Sequence, residues 1–155
     1  YRERTLEGGC MKYFEDFRVG ETVVTRARTI TETDIVSFDA WTGDWYPLHT
    51  DIEYAKKGPF GERIAHGLLV LSIANGLLPL YDMAIVAFYG MDKVRFTAPT
   101  KIGDTIHVEL EVVGKDDKGE MGGVITLKES VKNQKGEPVA LSTLKAFIGR
   151  PPKPA

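Results

Sequence analysis

Cysteine is nearly absent from this chain: Cys10 is the single one in 155 residues. A disulfide framework within the chain is therefore excluded, and so is a cysteine-rich zinc site. Charge of one sign is also lacking. Twenty Lys and Arg face 22 Asp and Glu, a net charge of -2. Such a balance lacks the electrostatic footprint of a nucleic-acid binder. No run of about 18 uninterrupted apolar residues occurs, so a membrane span is not expected. The most apolar stretch, Leu68 to Leu80, is broken by Asn75, Gly76 and Pro79. Tyr1 to Cys10 carry Arg2, Glu3, Arg4 and Glu7 without an apolar centre, so they do not read as a signal peptide. The expected location is cytoplasmic.

What is present suits one packed domain. The chain is 43% hydrophobic and 27% charged, ordinary for a globular core. Residues 1–10 read as a tag or upstream extension, 11–150 as a single domain and 151–155 as a tail. A strand is expected over Thr22 to Ile30. Thr31 then caps a helix over Glu32 to Thr42, with Asp34 at capping-box spacing and Gly43 as its stop. Ile35, Phe38 and Trp41 recur at helical spacing and read as its core face. Gly43 to Pro47 is expected as a loop, because Pro47 disfavours helical geometry at Tyr46. A short helix follows over Ile52 to Lys57. A longer one runs from His66 or Gly67 to Asp82, apolar almost all round and hence buried.

The second half reads as strands: Ile85 to Tyr89, Lys93 to Ala98, Thr105 to Val113, Gly122 to Lys132 and Val139 to Gly149. Their short polar connections favour antiparallel neighbours. An α+β domain results, an antiparallel sheet wrapped around a long buried helix. One sheet over one helix leaves an edge and a face uncovered, so a symmetric homodimer or a higher homo-oligomer is expected.

Chemistry concentrates in two stretches. In Gly43-Asp44-Trp45-Tyr46-Pro47-Leu48-His49-Thr50-Asp51, an acid and a histidine lie five residues apart. A helix would set them roughly 140° apart. A loop carrying Pro47 allows both to face one cleft, where they could share a water as a general acid–base pair. The same residues also read as a helix-ending turn and a packed loop. Asp44, His49, Asp51 and His66 are a conceivable metal set, although their spacing singles out no ligand geometry. In Ala65-His66-Gly67, the helix N-terminus offers N–H groups with no intrahelical partner, suited to a developing oxyanion. His66 reads as a ligand or, better, as a hydrogen-bonding support for the loop. Trp45, Phe60 and Tyr81 are candidates for pocket lining, whereas Trp41 reads as core. Lys93, Arg95 and Lys101 read as surface residues.

Taken together, Gly43-Asp44-x-x-Pro47-Leu48-His49-x-Asp51 and Ala65-His66-Gly67 resemble the hydratase motif of MaoC-like dehydratases, which include the R-specific enoyl-CoA hydratases of the hot-dog fold. The resemblance continues through Arg95-Phe96-x-x-Pro99 and Gly103-Asp104-Thr105. It implies that Asp44 and His49 hold the water that adds to C3 of a trans-2-enoyl-CoA, and that the Gly67 N–H binds the thioester oxygen. It implies no metal and no separate cofactor, coenzyme A being part of the substrate. Two departures stand out. Tyr46 occupies the place of the usual Asn, and Asn75 that of a frequent Ser, so both join the candidate substrate contacts. A hot-dog thioesterase and a non-catalytic acyl-CoA-binding module are the alternatives.

Overall fold

A computed structural model of the chain describes residues 11–152. The extension expected at residues 1–10 lies outside the described residues, as does the end of the tail. Among the described residues there are four α-helical segments: α1 (Glu32–Thr42), α2 (Pro47–Thr50), α3 (Ile52–Lys56) and α4 (Gly67–Leu77). Six strands complete the fold: β1 (Thr22–Val24), β2 (Arg28–Thr29), β3 (Ile85–Phe96), β4 (Thr105–Asp117), β5 (Gly122–Lys132) and β6 (Pro138–Gly149). They form one antiparallel sheet in the order β1-β4-β5-β6-β3, with β2 also paired to β4.

Alternation along the long strands explains the architecture. Ile106, Val108, Leu110 and Val112 of β4 are buried, as are Ile125, Leu127 and Val131 of β5. Ala140, Leu144, Ala146 and Ile148 of β6 continue this face. Every second side chain thus points to one side. There it meets Leu69, Val70, Ile73, Ala74 and Leu77 of α4 in a single core. One acid interrupts this face. Glu129 is buried on β5, where Ser142 Oγ donates to its Oε2 at 2.6 Å.

α1 has the bounds that its caps dictate. The Thr31 side chain accepts from the Asp34 N–H at 3.3 Å, and Asp34 Oδ2 accepts from the Thr31 N–H at 2.8 Å. Gly43 ends the helix in the left-handed region, at φ 76°, and its N–H donates to the Asp39 carbonyl. A side chain would strain that turn.

Several expectations change. Thr22 to Ile30 is not one strand. Val24 pairs with Glu109 but Arg28 with Ile106, so residues 25–27 hold one residue more than β4 opposite them. This is a bulge, and Thr25 Oγ1 accepts the Val108 N–H within it. β3 is one strand rather than two, because register shifts and Lys93 at φ 53° absorb the irregularity without a turn. α4 stops at Leu77, since Leu78 before Pro79 is driven to an extended conformation (ψ 150°). Nor is it buried all round: Leu68, Ser72 and Gly76 form an exposed stripe at four-residue spacing. Trp41 is 93% exposed and takes no part in the core, Ile35 and Phe38 supplying the inner face of α1 instead.

Candidate active site

Three backbone features converge on the first turn of α4. Gly43 turns the chain out of α1 and delivers Asp44. Pro47, at the first position of α2, adds a helical turn where a plain loop was expected. That turn carries His49 back toward the entry to α4. The Ala65 N–H donates to the Thr100 carbonyl at 2.8 Å, fixing the entry beside the sheet.

His49 has a defined tautomer. Its Nδ1 lies 2.7 Å from the Ile64 carbonyl oxygen, which can only accept, so Nδ1 carries the hydrogen. In the neutral ring, Nε2 is then left with its lone pair. Arg63 braces the same turn: it pairs with Glu32 of α1 and reaches the His49 carbonyl at 3.4 Å. The hydrogen bond from Arg63 holds the Glu32 carboxyl below its ordinary range.

His66 sits beneath the loop, 3% exposed. Its Nε2–H donates to the Asp44 backbone carbonyl at 3.1 Å, and its ring stacks on His49 with centroids 3.7 Å apart. The supporting role expected of His66 therefore has a concrete form. The Asp44 carboxylate, His49 and His66 offer atoms that all lie within 4.8 Å of one another. His66 Nε2 and Asp44 Oδ2 stand 3.9 Å apart, wider than the roughly 3.4 Å between ligand atoms of tetrahedral zinc. Asp51, the fourth conceivable ligand, is used elsewhere: its side chain accepts the Glu53 and Tyr54 N–H groups and caps α3.

A cavity of about 420 Å³ opens beside His49 and Gly67, walled by Phe60, Val70, Phe96 and Thr100. Gly67 is the first residue of α4, and His66 gives that helix no side-chain cap. A Cβ on Gly67 would stand 2.5 Å from the Phe96 ring, so only glycine fits with the ring in place. Tyr46 lies outside this cavity. Its ring meets His49 edge-on at 6.3 Å, and its hydroxyl is 3.2 Å from that of Tyr54. That hydrogen bond pushes the Tyr54 phenol above its ordinary value.

Asn75 is not brought to the cluster. Eight residues of helix put it roughly 12 Å along the axis from Gly67. There it lines a separate apolar cavity of about 230 Å³ with Leu78, Met83 and Phe88. Of the expected lining aromatics, Phe60 serves, whereas Trp45 and Tyr81 are exposed. Sequence reasoning missed Asp39. It is fully buried in α1, with Oδ1 2.8 Å from His66 Nε2. Its sole trace in the sequence is an acid on a face that otherwise reads as apolar.

Residues 16–134 match the MaoC like domain family. Protein MaoC of Klebsiella aerogenes is 43% identical over 64% of this chain and 30% of its own length. A 3-hydroxybutyryl-CoA dehydratase of Methylorubrum extorquens is 38% identical over 64% of this chain and 63% of its own. This chain thus spans less than two thirds of both relatives. The structure of a monoamine oxidase regulatory protein from Archaeoglobus is 46% identical, with a TM-score of 0.86 over 92% of this chain and 97% of that one. A Mycobacterium tuberculosis protein described as a double hotdog fold superimposes with a TM-score of 0.80 over 95% of this chain and 46% of its own, at 21% identity. The chain belongs to the MaoC like domain family and has the hot-dog fold.

Proposed function

We propose that this protein hydrates trans-2-enoyl-CoA to 3-hydroxyacyl-CoA, or runs the reverse dehydration. The observation that carries the reading is His49: its Nδ1–H is anchored on Ile64, and its ring borders a cavity that ends at the N-terminus of α4. Asp44 accepts a hydrogen bond from the water and holds it. His49 Nε2 takes a proton from that water as the oxygen bonds to C3. The C2–C3 π electrons shift toward the thioester, whose oxygen is met by the Gly67 N–H and the positive end of the helix. The proton then passes from His49 to C2, leaving a hydroxyl at C3. Acid–base transfer of this kind contributes typically about 10²–10⁴-fold in rate. The thioester itself acidifies C2, so the reading calls for no metal and no separate cofactor. Tyr46 flanks His49 and shapes the approach of substrate, whereas Asn75 has no part in the step.

The test is an assay with crotonyl-CoA that follows loss of the enoyl chromophore and release of free thiol in parallel. Chromophore loss without thiol supports hydration. Stoichiometric thiol indicates a thioesterase instead. Saturable binding with neither indicates an acyl-CoA-binding module. That second reading is favoured by the description of the 46% identical Archaeoglobus protein as regulatory.

The proposed working unit is a homodimer. β3 pairs with β6 on one side and has no strand on the other among the described residues. Its Val86, Phe88 and Tyr89 are exposed. A long edge of this kind favours pairing with a second copy. A stable monomer at micromolar concentration in sedimentation contradicts this. No helix among the described residues is long and apolar enough to cross a membrane.

A further inference from the structure

Asp39 places a carboxylate in the core of a helix–helix junction. Its side chain is fully buried, and neither carboxylate oxygen receives a hydrogen bond among the described residues. Burying such a group is unfavourable unless a cation or donor faces it. One group does: His66 Nε2 lies 2.8 Å from Oδ1. The backbone of Asp39 is engaged at the same time, its carbonyl accepting the Gly43 N–H that closes α1. Its backbone thus joins the turn that precedes Asp44, while its side chain sets a carboxylate beside His66.

His66 touches both members of the acid–base pair. Its Nε2–H holds the Asp44 carbonyl at 3.1 Å, and its ring supports His49 face to face, tilted by 29°. We propose that Asp39 is a positioning residue: its carboxylate fixes the tautomer and ring orientation of His66, and His66 holds Asp44 and His49 in register. This rests on the hydratase reading above. Both neighbours of Nε2 are acceptors, so the hydrogen belongs there, and a carboxylate beside it favours that tautomer. His66 Nδ1 is buried with no hydrogen-bond partner among the described residues, so no hydrogen bond on the other side of the ring opposes a flip. Without Asp39 the ring can turn over, which releases the Asp44 carbonyl and tilts the surface on which His49 rests.

The test compares the full-length wild type with Asp39→Ala and Asp39→Asn by three readouts: crotonyl-CoA kinetics, thermal unfolding and imidazole ¹⁵N–¹H spectra. The chain has three histidines, so the ring signals are few, and His107→Gln removes the one outside the site. In Asp39→Ala, kcat is expected to fall on the order of 10- to 100-fold with KM within about twofold. The His49 and His66 signals are expected to move. Asp39→Asn, whose amide oxygen can still face Nε2, is expected to recover part of kcat. It also remains as the test where the alanine variant fails to fold. A folded variant with wild-type kcat and unmoved His49 signals overturns the proposal while leaving the hydratase reading intact. A wild type that does not hydrate enoyl thioesters removes the hydratase reading instead. The ring spectra then decide alone: moved His66 and His49 signals uphold the positioning role, and unmoved signals end it.

Discussion

Replacing Gly67 with alanine separates the two things that glycine does at the head of α4. The added methyl would lie 2.5, 2.7 and 2.8 Å from three carbons of the Phe96 ring. Contact between carbons is favourable at about 3.5–4.0 Å, so the ring must retreat by roughly 1 Å. Phe96 is 51% exposed and can swing outward. The cost should therefore sit at the low end of overpacking, about 1–2 kcal/mol. For a chain of this size that lowers Tm by roughly 2–4 °C per kcal/mol. The catalytic loss should be larger. A methyl between ring and helix end blocks the thioester oxygen from the Gly67 N–H, and losing one such donor costs about 10²–10³-fold in kcat. Thermal unfolding and crotonyl-CoA kinetics measure both on one sample. Phe96→Leu, combined with Gly67→Ala, relieves the clash. The double variant should regain Tm and keep its low kcat. Recovery of both would refute the oxyanion role and reduce Gly67 to a packing requirement.

Other consequences follow from the same geometry. Burial holds the Glu129 carboxyl above its ordinary value, against the smaller opposing effect of the Ser142 hydrogen bond. The native state therefore binds the proton more tightly than the unfolded one. The stability this contributes is full below the ordinary glutamate range and is lost as pH rises through the raised value. Glu129→Gln should abolish that loss and raise stability by about 1–3 kcal/mol at pH values above the window, seen as a Tm gain at alkaline but not acid pH. Thr31→Ala removes one arm of the capping box on α1 and should cost about 1 kcal/mol. Thermal unfolding checks it, with an unchanged Tm counting against the cap. Gly122→Ala should be far more damaging, since a Cβ there meets the Ile148 carbonyl at 2.0 Å with φ at +136°, and soluble yield and Tm report it.

The parts of this fold that were legible in the sequence are those fixed by local chemistry. Thr31, Asp34 and Gly43 mark both ends of α1, and alternation marks β4, β5 and β6. Asp44, His49 and Gly67 could be singled out because an acid, a histidine and a helix N-terminus are recognisable residue by residue. What local reasoning missed depends on tertiary contacts. Trp41 shares the helical spacing of Ile35 and Phe38, yet no element among the described residues covers it. Leu68 and Gly76 belong to an apolar helix, but the sheet reaches only the other side of α4. Asn75 follows the site in sequence and leaves it in space, because a helix carries it along its own axis. Asp39 was easily overlooked for a related reason. A mid-helix aspartate reads as a solvated residue until the turn at Gly43 folds α1 onto His66.

The central claim is that Asp44 and His49 act together on a water at C3 of an enoyl thioester. It is tested most directly by the rate of crotonyl-CoA hydration in the wild type, Asp44→Asn and His49→Ala, with Tm measured on the same preparations. The expected result is loss of at least about 10²-fold in kcat for each variant, with Tm close to wild type and no free thiol released. Either variant within a few-fold of the wild-type rate would contradict the assignment of the pair.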